Sequence, residues 1–300
     1  MPTLEGLRRQ ISTATDLRSV VTTMKTLAAV SIHQYERAAE ALADYNRTIE
    51  LGFQIAFAGQ TASTETKILR GFTAAIVFGS DQGMCGQFNE QVVSRLNTKA
   101  ADEGSDRSWT TLAVGDRCED QLIDSDWNVQ HTYSLPTSVS DISNLVQELL
   151  LDIDRLMTTS EIGRLVVFFN RRTSASSFKP RDLQLLPLDP ARLQRFRQEE
   201  WKGPSSPIFA GERQRVVSSL VQQYLYVSLF RACAESLASE NASRIAAMQA
   251  AEKNIEERLE ELSRDFNTLR QSSITEELLD VVTGFEALSQ QRKKNRQERT

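Results

Sequence analysis

A loop rich in small and polar residues is the most promising place for chemistry in the sequence. It covers residues 79–89 and follows an apolar run at 72–78. Loops between a strand and a helix often bind phosphate, because the free N–H groups at the start of the helix attract anions. This loop has neither GxGxxG nor GxxxxGK[ST], the common phosphate-binding patterns. We therefore interpret it as a turn that packs the domain or contacts a partner, with nucleotide binding as the alternative. Its candidate residues are Ser80, Asp81, Gly83, Cys85, Gly86 and Asn89.

Other reactive side chains are few and widely spaced. His33 and His131 are the only histidines, and Cys85, Cys118 and Cys233 form no CxxC pair. This spacing indicates neither a metal cluster nor a Ser/His/Asp arrangement, so we expect no catalytic site, no metal and no cofactor. The formal net charge of -5 argues against binding to nucleic acid, which requires a basic surface.

A long helix is predicted at the N-terminus, over residues 1–58. Apolar residues recur at every seventh position, in the series Leu7, Ala14, Val21, Ala28, Tyr35, Leu42, Ile49 and Ala56. A second, mostly apolar series starts at Leu4, so the mean spacing is about 3.5 residues, as in a coiled coil. A helix from Leu4 to Phe57 would measure roughly 80 Å. No compact domain needs a helix so long.

Residues 70–205 show a different pattern and predict an α/β domain. Short apolar runs predict strands at 72–78, 110–114, 127–133 and 164–169, and helices are predicted at 87–101, 116–123 and 139–156. Strands that alternate with helices indicate a mainly parallel sheet. Residues 178–188 contain Pro180 and Pro187, which favours an edge strand there.

A second long helix is predicted over residues 211–289, followed by a basic tail at 290–300. Ile255, Leu259, Leu262, Phe266 and Leu269 repeat the coiled-coil spacing. The economical arrangement is an antiparallel coiled coil of the two long helices, with the α/β domain inserted at one end. In that pairing Leu4 lies opposite about residue 265, and the chain beyond overhangs. The overhang carries Leu269, Ile274, Leu278, Leu279, Val281, Val282, Phe285 and Leu288. We expect these residues to lie in a socket supplied by another protein.

Several segments resemble the gamma subunits of F-type ATP synthases. Residues 235–240 read ESLASE, and Ala242, Arg244, Met248 and Asn254 continue a signature of that family. A second signature is matched by Asn267, Arg270, Gln271, Ile274, Thr275, Glu277, Leu278, Val281 and Gly284. Residues 80–89 resemble the family's SDRGLCGGFN loop, and Met24 and Lys25 are similar to its opening helix. The resemblance covers about residues 3–288 and is most specific in the C-terminal helix, whose polar identities do not follow from a heptad.

The resemblance implies a non-catalytic rotary shaft. The fold would be a long antiparallel coiled coil, with the N- and C-terminal helices forming a shaft around an inserted Rossmann-like α/β domain. The shaft would occupy the bore of a ring of alpha and beta subunits, and the domain would meet the epsilon subunit and the membrane ring of c subunits. Flow of protons or sodium ions would turn it and drive ATP synthesis. It would be peripheral, on the cytoplasmic side of the bacterial plasma membrane.

The resemblance also assigns residues to these contacts. Contact with the alpha/beta ring is implied for Met24, Lys25, Arg244, Arg270, Gln271, Thr275 and Glu276. The ordinary alternative is that the polar residues among them form a solvated helix face, and that Lys25 sets the coiled-coil register. The loop residues from Ser80 to Asn89 would belong to the rotor foot or to the packing of the domain.

Some features depart from the family pattern and leave other functions open. Residues 19–32 lack three lysines that the family's opening helix carries, and the basic tail extends past the family's usual end. These departures suggest a divergent branch, such as an alternative ATPase that uses Na+. A non-rotary coiled-coil adaptor would instead self-associate through residues 255–269. An α/β enzyme with helical arms would bind a nucleotide at the loop.

Overall fold

The computed structural model describes residues 3–58, 72–104, 108–159, 162–174, 177–198 and 212–297. The domain limits predicted at residues 70, 205 and 211 lie outside this part of the chain, as does the end of the basic tail at 298–300. The chain divides into two compact units, one made of residues 1–24 and 248–300 and the other of residues 25–247.

Three long helices come from the two ends of the sequence. They are α1 (Leu4–Ala41), α2 (Ala43–Phe57) and α7 (Arg213–Gln297). The single N-terminal helix that the heptads predict is interrupted at Leu42, although the Asn46 N–H still donates to the Leu42 carbonyl at 2.9 Å. Every residue of the series from Leu7 to Ala56 is buried or half-buried, which confirms the predicted seam. Helix α7 includes residues 290–297 of the segment predicted as a basic tail.

The long helices pack in antiparallel directions. In the unit of residues 25–247, the Tyr45 hydroxyl donates to Gln223 Oε1 at 2.8 Å. A Cβ atom at Gly52 would come within 2.7 Å of Leu220. Later residues of α2 therefore meet earlier residues of α7. In the other unit, Thr22 of α1 donates to Glu252 of α7 at 3.2 Å, and the buried seam residues are Leu7, Val21, Met248 and Leu262. The predicted antiparallel coiled coil is confirmed.

A five-stranded sheet forms the centre of the α/β domain. Its strands are β1 (Thr73–Phe78), β2 (Trp109–Val114), β3 (Val129–Tyr133), β4 (Arg164–Arg172) and β5 (Phe178–Leu186), in the order β3-β2-β1-β4-β5. All neighbours are parallel except β5, which pairs antiparallel with β4 at the edge. The predicted parallel sheet and edge strand are thus confirmed. The remaining helices are α3 (Phe88–Glu103), α4 (Asp116–Asp124), α5 (Val139–Thr159) and α6 (Pro190–Gln198).

Both faces of the sheet are covered, which explains why β1 is apolar along its whole length. On one face Val77 and Phe168 pack with Val92 and Leu96 of α3 and with Leu122 of α4. On the other face, the strands pack against α5 and the long helices through residues that include Ile76, Phe78, Ile142, Leu149, Leu229 and Cys233. A strand buried on both faces cannot alternate polar and apolar residues.

Candidate functional site

The carboxyl ends of β1 and β4 meet at the point where the strand order of the sheet reverses. The chain runs from β1 to β2 on one side of β1, and β4 lies on its other side. In open α/β sheets, ligands bind in the crevice at such a reversal point. The loop of residues 79–87 follows β1 at this edge, so the edge is the first place to look for a site.

Helix α7 fills this crevice through three serines. The Ser239 hydroxyl lies 3.0 Å from the carbonyl of Asn170, near the end of β4, and its single proton is shared with the Glu235 carbonyl at 2.7 Å. Ser243 donates to the Cys85 carbonyl in the loop at 2.5 Å, and Ser236 lies 3.4 Å from the Phe78 carbonyl at the end of β1. These serines are buried and lie three and four residues apart, so they share one face of α7. We call Ser236, Ser239 and Ser243 the serine face.

The loop's own polar groups are also satisfied within the chain. The Asp81 carboxylate accepts hydrogen bonds from the N–H groups of Asp116 and Leu135, at 3.2 and 3.0 Å. Asp81 therefore takes the place at the start of α4 where a phosphate would be favoured. Ser80 and Asn89 are joined by two hydrogen bonds, Ser80 N–H to Asn89 Oδ1 at 3.0 Å and Asn89 Nδ2 to Ser80 Oγ at 2.8 Å. This geometry favours the packing role of the loop over nucleotide binding.

The remaining predicted loop residues set the shape of the turn. Gly86 has φ +60°, a backbone conformation that favours glycine, and Met84 shares it. The buried Cys85 thiol lies 3.5 Å from the Ser80 hydroxyl, and burial raises the pKa of that thiol. Gly83 is open, with nothing within 4 Å of a Cβ atom placed on it. A buried thiol of raised pKa is a poor nucleophile.

A charged pair is buried next to the loop. Arg244 Nη2 donates to Glu240 Oε1 at 2.6 Å, and the two side chains are only 12% and 6% exposed. The pKa of Glu240 is raised to about 7, mainly by burial and slightly by the nearby Asp81 carboxylate, while the Arg244 guanidinium acts in the opposite direction. The structure thus places Arg244 mainly within the chain, whereas the resemblance implied a ring contact. That contact stays a prediction.

The other residues predicted to contact the ring lie apart from this cluster. Arg270, Gln271, Thr275 and Glu276 are all exposed on α7. Met24 and Lys25 are half-buried on α1. The Thr275 hydroxyl donates to the Gln271 carbonyl at 2.9 Å, which satisfies it within the helix. The structure therefore leaves the four α7 side chains accessible to a partner.

The apolar side chains in the predicted overhang of α7 are exposed to solvent. Val281 is 70% exposed and Phe285 is 74% exposed, whereas the seam residue Leu262 is 3% exposed. Ile274, Leu278, Leu279 and Val282 are also exposed, while Leu269 is half-buried. The side chain of Leu288 lies outside the described part of the chain. We call residues 274–285 the apolar overhang.

Exposed apolar residues on α1 were missed by the sequence analysis. Leu17 and Val20 lie in the first unit and are 52% and 55% exposed. Leu27 and Val30 lie in the second unit and are 64% and 55% exposed. The two residues of each pair are three positions apart, so they share a helix face, and neither belongs to the heptad series. This spacing is the sequence signal that could have identified them. These positions add to the apolar surface that the long helices present to water.

Within the described ranges, no group of three or more His, Cys, Asp or Glu side chains is placed to hold a metal ion. Nor does any helix in these ranges have the length and apolar character needed to cross a membrane.

Comparison with known proteins agrees with the fold and with the signatures in α7. A family model described as ATP synthase matches residues 3–288. The gamma chain of ATP synthase from Synechococcus sp. (strain PCC 6716) is 27% identical over 96% of this chain and all of its own length. That of Acaryochloris marina is 28% identical with the same coverage.

Solved structures show the same architecture. A chain from the rotor of the Euglena gracilis mitochondrial ATP synthase superposes with a TM-score of 0.65. It is 17% identical, and the match covers 90% of this chain and 98% of that one. The family match over residues 3–288 shows that the chain belongs to the ATP synthase family, in which its full-length relatives are gamma chains.

Proposed function

We propose that this chain is the central rotor shaft of an F-type ATP synthase. As a non-catalytic subunit, it would couple transmembrane movement of protons or sodium ions to ATP synthesis or hydrolysis in the alpha/beta ring. The apolar overhang is the observation that carries the proposal. Large apolar side chains that stay exposed along several helical turns are a liability in water unless a partner covers them. The bore of the alpha/beta ring is the socket that the family membership supplies.

The proposed mechanism needs differential contacts rather than catalytic groups. A shaft can change the nucleotide affinity of a beta subunit only if its contacts with that subunit differ between orientations. Helix α7 provides such unevenness, because the apolar overhang includes the exposed polar residues Thr275 and Glu276 and follows the exposed Arg270 and Gln271. On α1, Met24 and Lys25 would add contacts. No step of the chemistry is assigned to this chain.

The α/β domain would form the end of the proposed shaft that lies away from the alpha/beta ring. Its contacts would be with the epsilon subunit and the c-subunit ring, so the chain would be peripheral to the membrane through its complex. We further propose that it lies on the cytoplasmic side of a bacterial plasma membrane, as the resemblance to the gamma subunits implied. The serine face, which contacts the loop and strands β1 and β4, would transmit torque from this domain to α7.

The adaptor alternative finds less support in the packing. It requires residues 255–269 to pair with a second copy of the chain. Ile255, Leu259, Leu262, Phe266 and Leu269 are instead buried or half-buried within a single chain. A self-association surface at this seam would have to displace packing that is already made.

Removal of the overhang from the assembled complex tests the proposal. A chain that ends at Leu269 should leave the unfolding midpoint of the isolated protein close to that of the full chain. ATP-driven ion pumping by the complex should fall to near background. A chain that ends at residue 289 is the matched control and should retain pumping. Full pumping by the complex with the shorter chain would contradict the proposed role.

A further inference from the structure

A cavity lined by arginines lies on the α7 face of β4 and β5. Its volume is about 360 Å³, which is near the lower end for small-molecule sites. Four arginines line it, against two carboxylates, and they come from four elements: Arg171 from β4, Arg181 from β5, Arg192 from α6 and Arg231 from α7. All of them belong to the unit of residues 25–247. We call this space the arginine cavity.

One carboxylate holds two of these guanidinium groups. Glu235, whose side chain is 14% exposed, lies 2.8 Å from Arg231 Nε and 3.4 Å from Arg171 Nε. Both arginines make their closest approach through Nε, so their two terminal nitrogens keep hydrogens for another acceptor. Among the described residues, no hydrogen bond of those terminal nitrogens is recorded. Glu235 thus positions two guanidinium forks without occupying them.

Arg181 supplies a third cation on the same face of the sheet. It pairs directly with Phe169 in the β4–β5 ladder, and Arg171 is two residues further along β4. Residues two apart on a strand point to the same face, so Arg171 and Arg181 are diagonal neighbours. Within the described ranges Arg181 forms no ion pair. Its neighbour Asp182 does not neutralise it, because that carboxylate is bound by Arg95 and Lys99 of α3, at 2.8 and 3.3 Å.

Arg192 adds positive charge to the cavity, but its guanidinium group already binds other residues of the chain. It contacts Glu50 at 2.5 Å, donates to the Tyr224 hydroxyl at 3.1 Å and lies 5.0 Å from the centre of the Tyr224 ring. Apolar residues complete the walls of the cavity, including Phe169, Leu183 and Val227. The cavity therefore joins convergent guanidinium groups to an apolar wall.

We propose that the arginine cavity binds a small tetrahedral oxyanion, either free phosphate or the phosphoryl end of a small phosphate ester. Planar guanidinium groups bind such oxyanions through paired, charge-assisted hydrogen bonds. Arg171, Arg231 and Arg181 are the ligands. Glu235 is a positioning residue that orients the first two. This site is independent of the proposed rotor function, because it uses neither the apolar overhang nor the loop of residues 79–89.

Binding should be measured by calorimetry on the full chain, with inorganic phosphate as the probe and acetate at equal ionic strength as the comparison. The buffer should contain about 0.1 M salt, because long-range attraction between charges is then screened over roughly 10 Å and contributes little to the measured binding. Saturable binding of phosphate but not acetate is expected. AMP is a second probe: tighter binding of AMP than of phosphate would identify an ester, and the reverse would identify the free anion.

Substitution of the proposed ligand arginines distinguishes binding at a specific site from general attraction to positive surface charge. Arg231→Gln and Arg171→Gln should each weaken phosphate binding about tenfold or more, because each removes charge-assisted hydrogen bonds. Arg258→Gln, which removes an exposed arginine paired with Glu261, is the matched control and should change nothing. If either variant fails to fold, Arg181→Gln replaces it, since Arg181 forms no ion pair with any residue that the structure describes. Absence of saturable phosphate binding, or equal binding by the Arg231 variant, would overturn the proposal.

Discussion

Two stretches of the same helix, α7, meet opposite environments. Near the sheet, Cys233, Leu237 and Ala238 are buried, and the side chains that touch the strand ends are serines. In the apolar overhang, Val281 and Phe285 are exposed although they are larger and more apolar than those serines. Small polar side chains suit close packing against backbone carbonyls, whereas large apolar ones are the usual anchors of a protein interface. The first stretch is therefore built for its own chain and the second for a partner.

This comparison predicts that substitutions at the crevice change the free energy of unfolding and that substitutions in the overhang do not. The largest effect is expected at Gly115, which lies where β2 leads into α4. Its φ is +110°, and a Cβ atom there would come within 2.7 Å of the Ser80 backbone. Gly115→Ala should lower the free energy of unfolding by about 3 kcal/mol or more, because backbone strain and overlap with main-chain atoms combine. Urea denaturation of the full chain would measure this.

Gly284→Ala is the matched control in the overhang. A Cβ atom at Gly284 meets nothing within 4 Å, and the residue lies in a helix. Alanine is favoured over glycine in a helix by about 0.5–1 kcal/mol, so this variant should be neutral or slightly stabilising. Equal destabilisation by the two substitutions would remove the distinction between the stretches.

A pH-dependent effect is expected from Glu240. Burial raises the pKa of Glu240 from 4.5 to about 7, so its carboxyl takes up a proton more readily in the folded chain than in the unfolded chain. A raised pKa contributes stability that is fully present below about pH 4.5 and is lost as the pH rises through about 7. Glu240→Gln cannot ionise. Its free energy of unfolding, relative to the wild type, should therefore increase between pH 5 and pH 8, by on the order of 2–3 kcal/mol.

The measurement is the difference between variant and wild type in urea denaturation at several pH values. This difference cancels the titration of all groups that the two proteins share. Glu276→Gln, an exposed change on the same helix, should give a difference that stays flat with pH. If the Glu240 difference is also flat, the buried pair with Arg244 remains ionised at both ends of the range.

The fold was largely predictable because the strong signals in the sequence are periodic. The heptad series from Leu7 to Ala56 specified the buried seam, and the apolar runs specified the strands. Strand β4 extends three residues past its predicted end, since Asn170, Arg171 and Arg172 pair with β5 although they are polar. Helix α6 was missed, because Phe196 is its one buried residue within a mostly polar sequence. The interruption at Leu42 carries no glycine or proline to signal it.

The site was less predictable because its contacts join distant parts of the sequence. Ser243 and Cys85 are 158 residues apart, and so are Ser236 and Phe78. A helical sequence alone does not show that its serines will lie against the ends of strands. The i,i+4 spacing of Glu240 and Arg244 does indicate a pair within the helix, but it does not show that the pair is buried. By contrast, the apolar overhang was predictable, because a difference in helix length needs no long-range contact to be seen.

Substitutions in the apolar overhang are expected to have the smallest effect on the free energy of unfolding. They also test the comparison of the two stretches of α7 most directly. Val281→Gln and Phe285→Gln replace side chains that the chain itself leaves exposed. Each should change the free energy of unfolding by less than about 0.5 kcal/mol, as for ordinary surface positions. Burial of one such side chain by a partner is worth about 1.5–3 kcal/mol, so each variant should bind a purified alpha/beta ring roughly tenfold or more weakly.

The ring-binding titration needs a control that alters the surface of α7 outside the overhang. Lys253→Gln serves, because this side chain is 77% exposed and lies beside the seam. Its affinity for the ring should stay within about threefold of the wild type, since exposed ion pairs contribute little. A fall in the free energy of unfolding for Phe285→Gln, with ring affinity unchanged, would mean that the overhang is covered by its own chain. The two stretches of α7 would then serve the same purpose, and the argument for a socket in a partner would lose its basis.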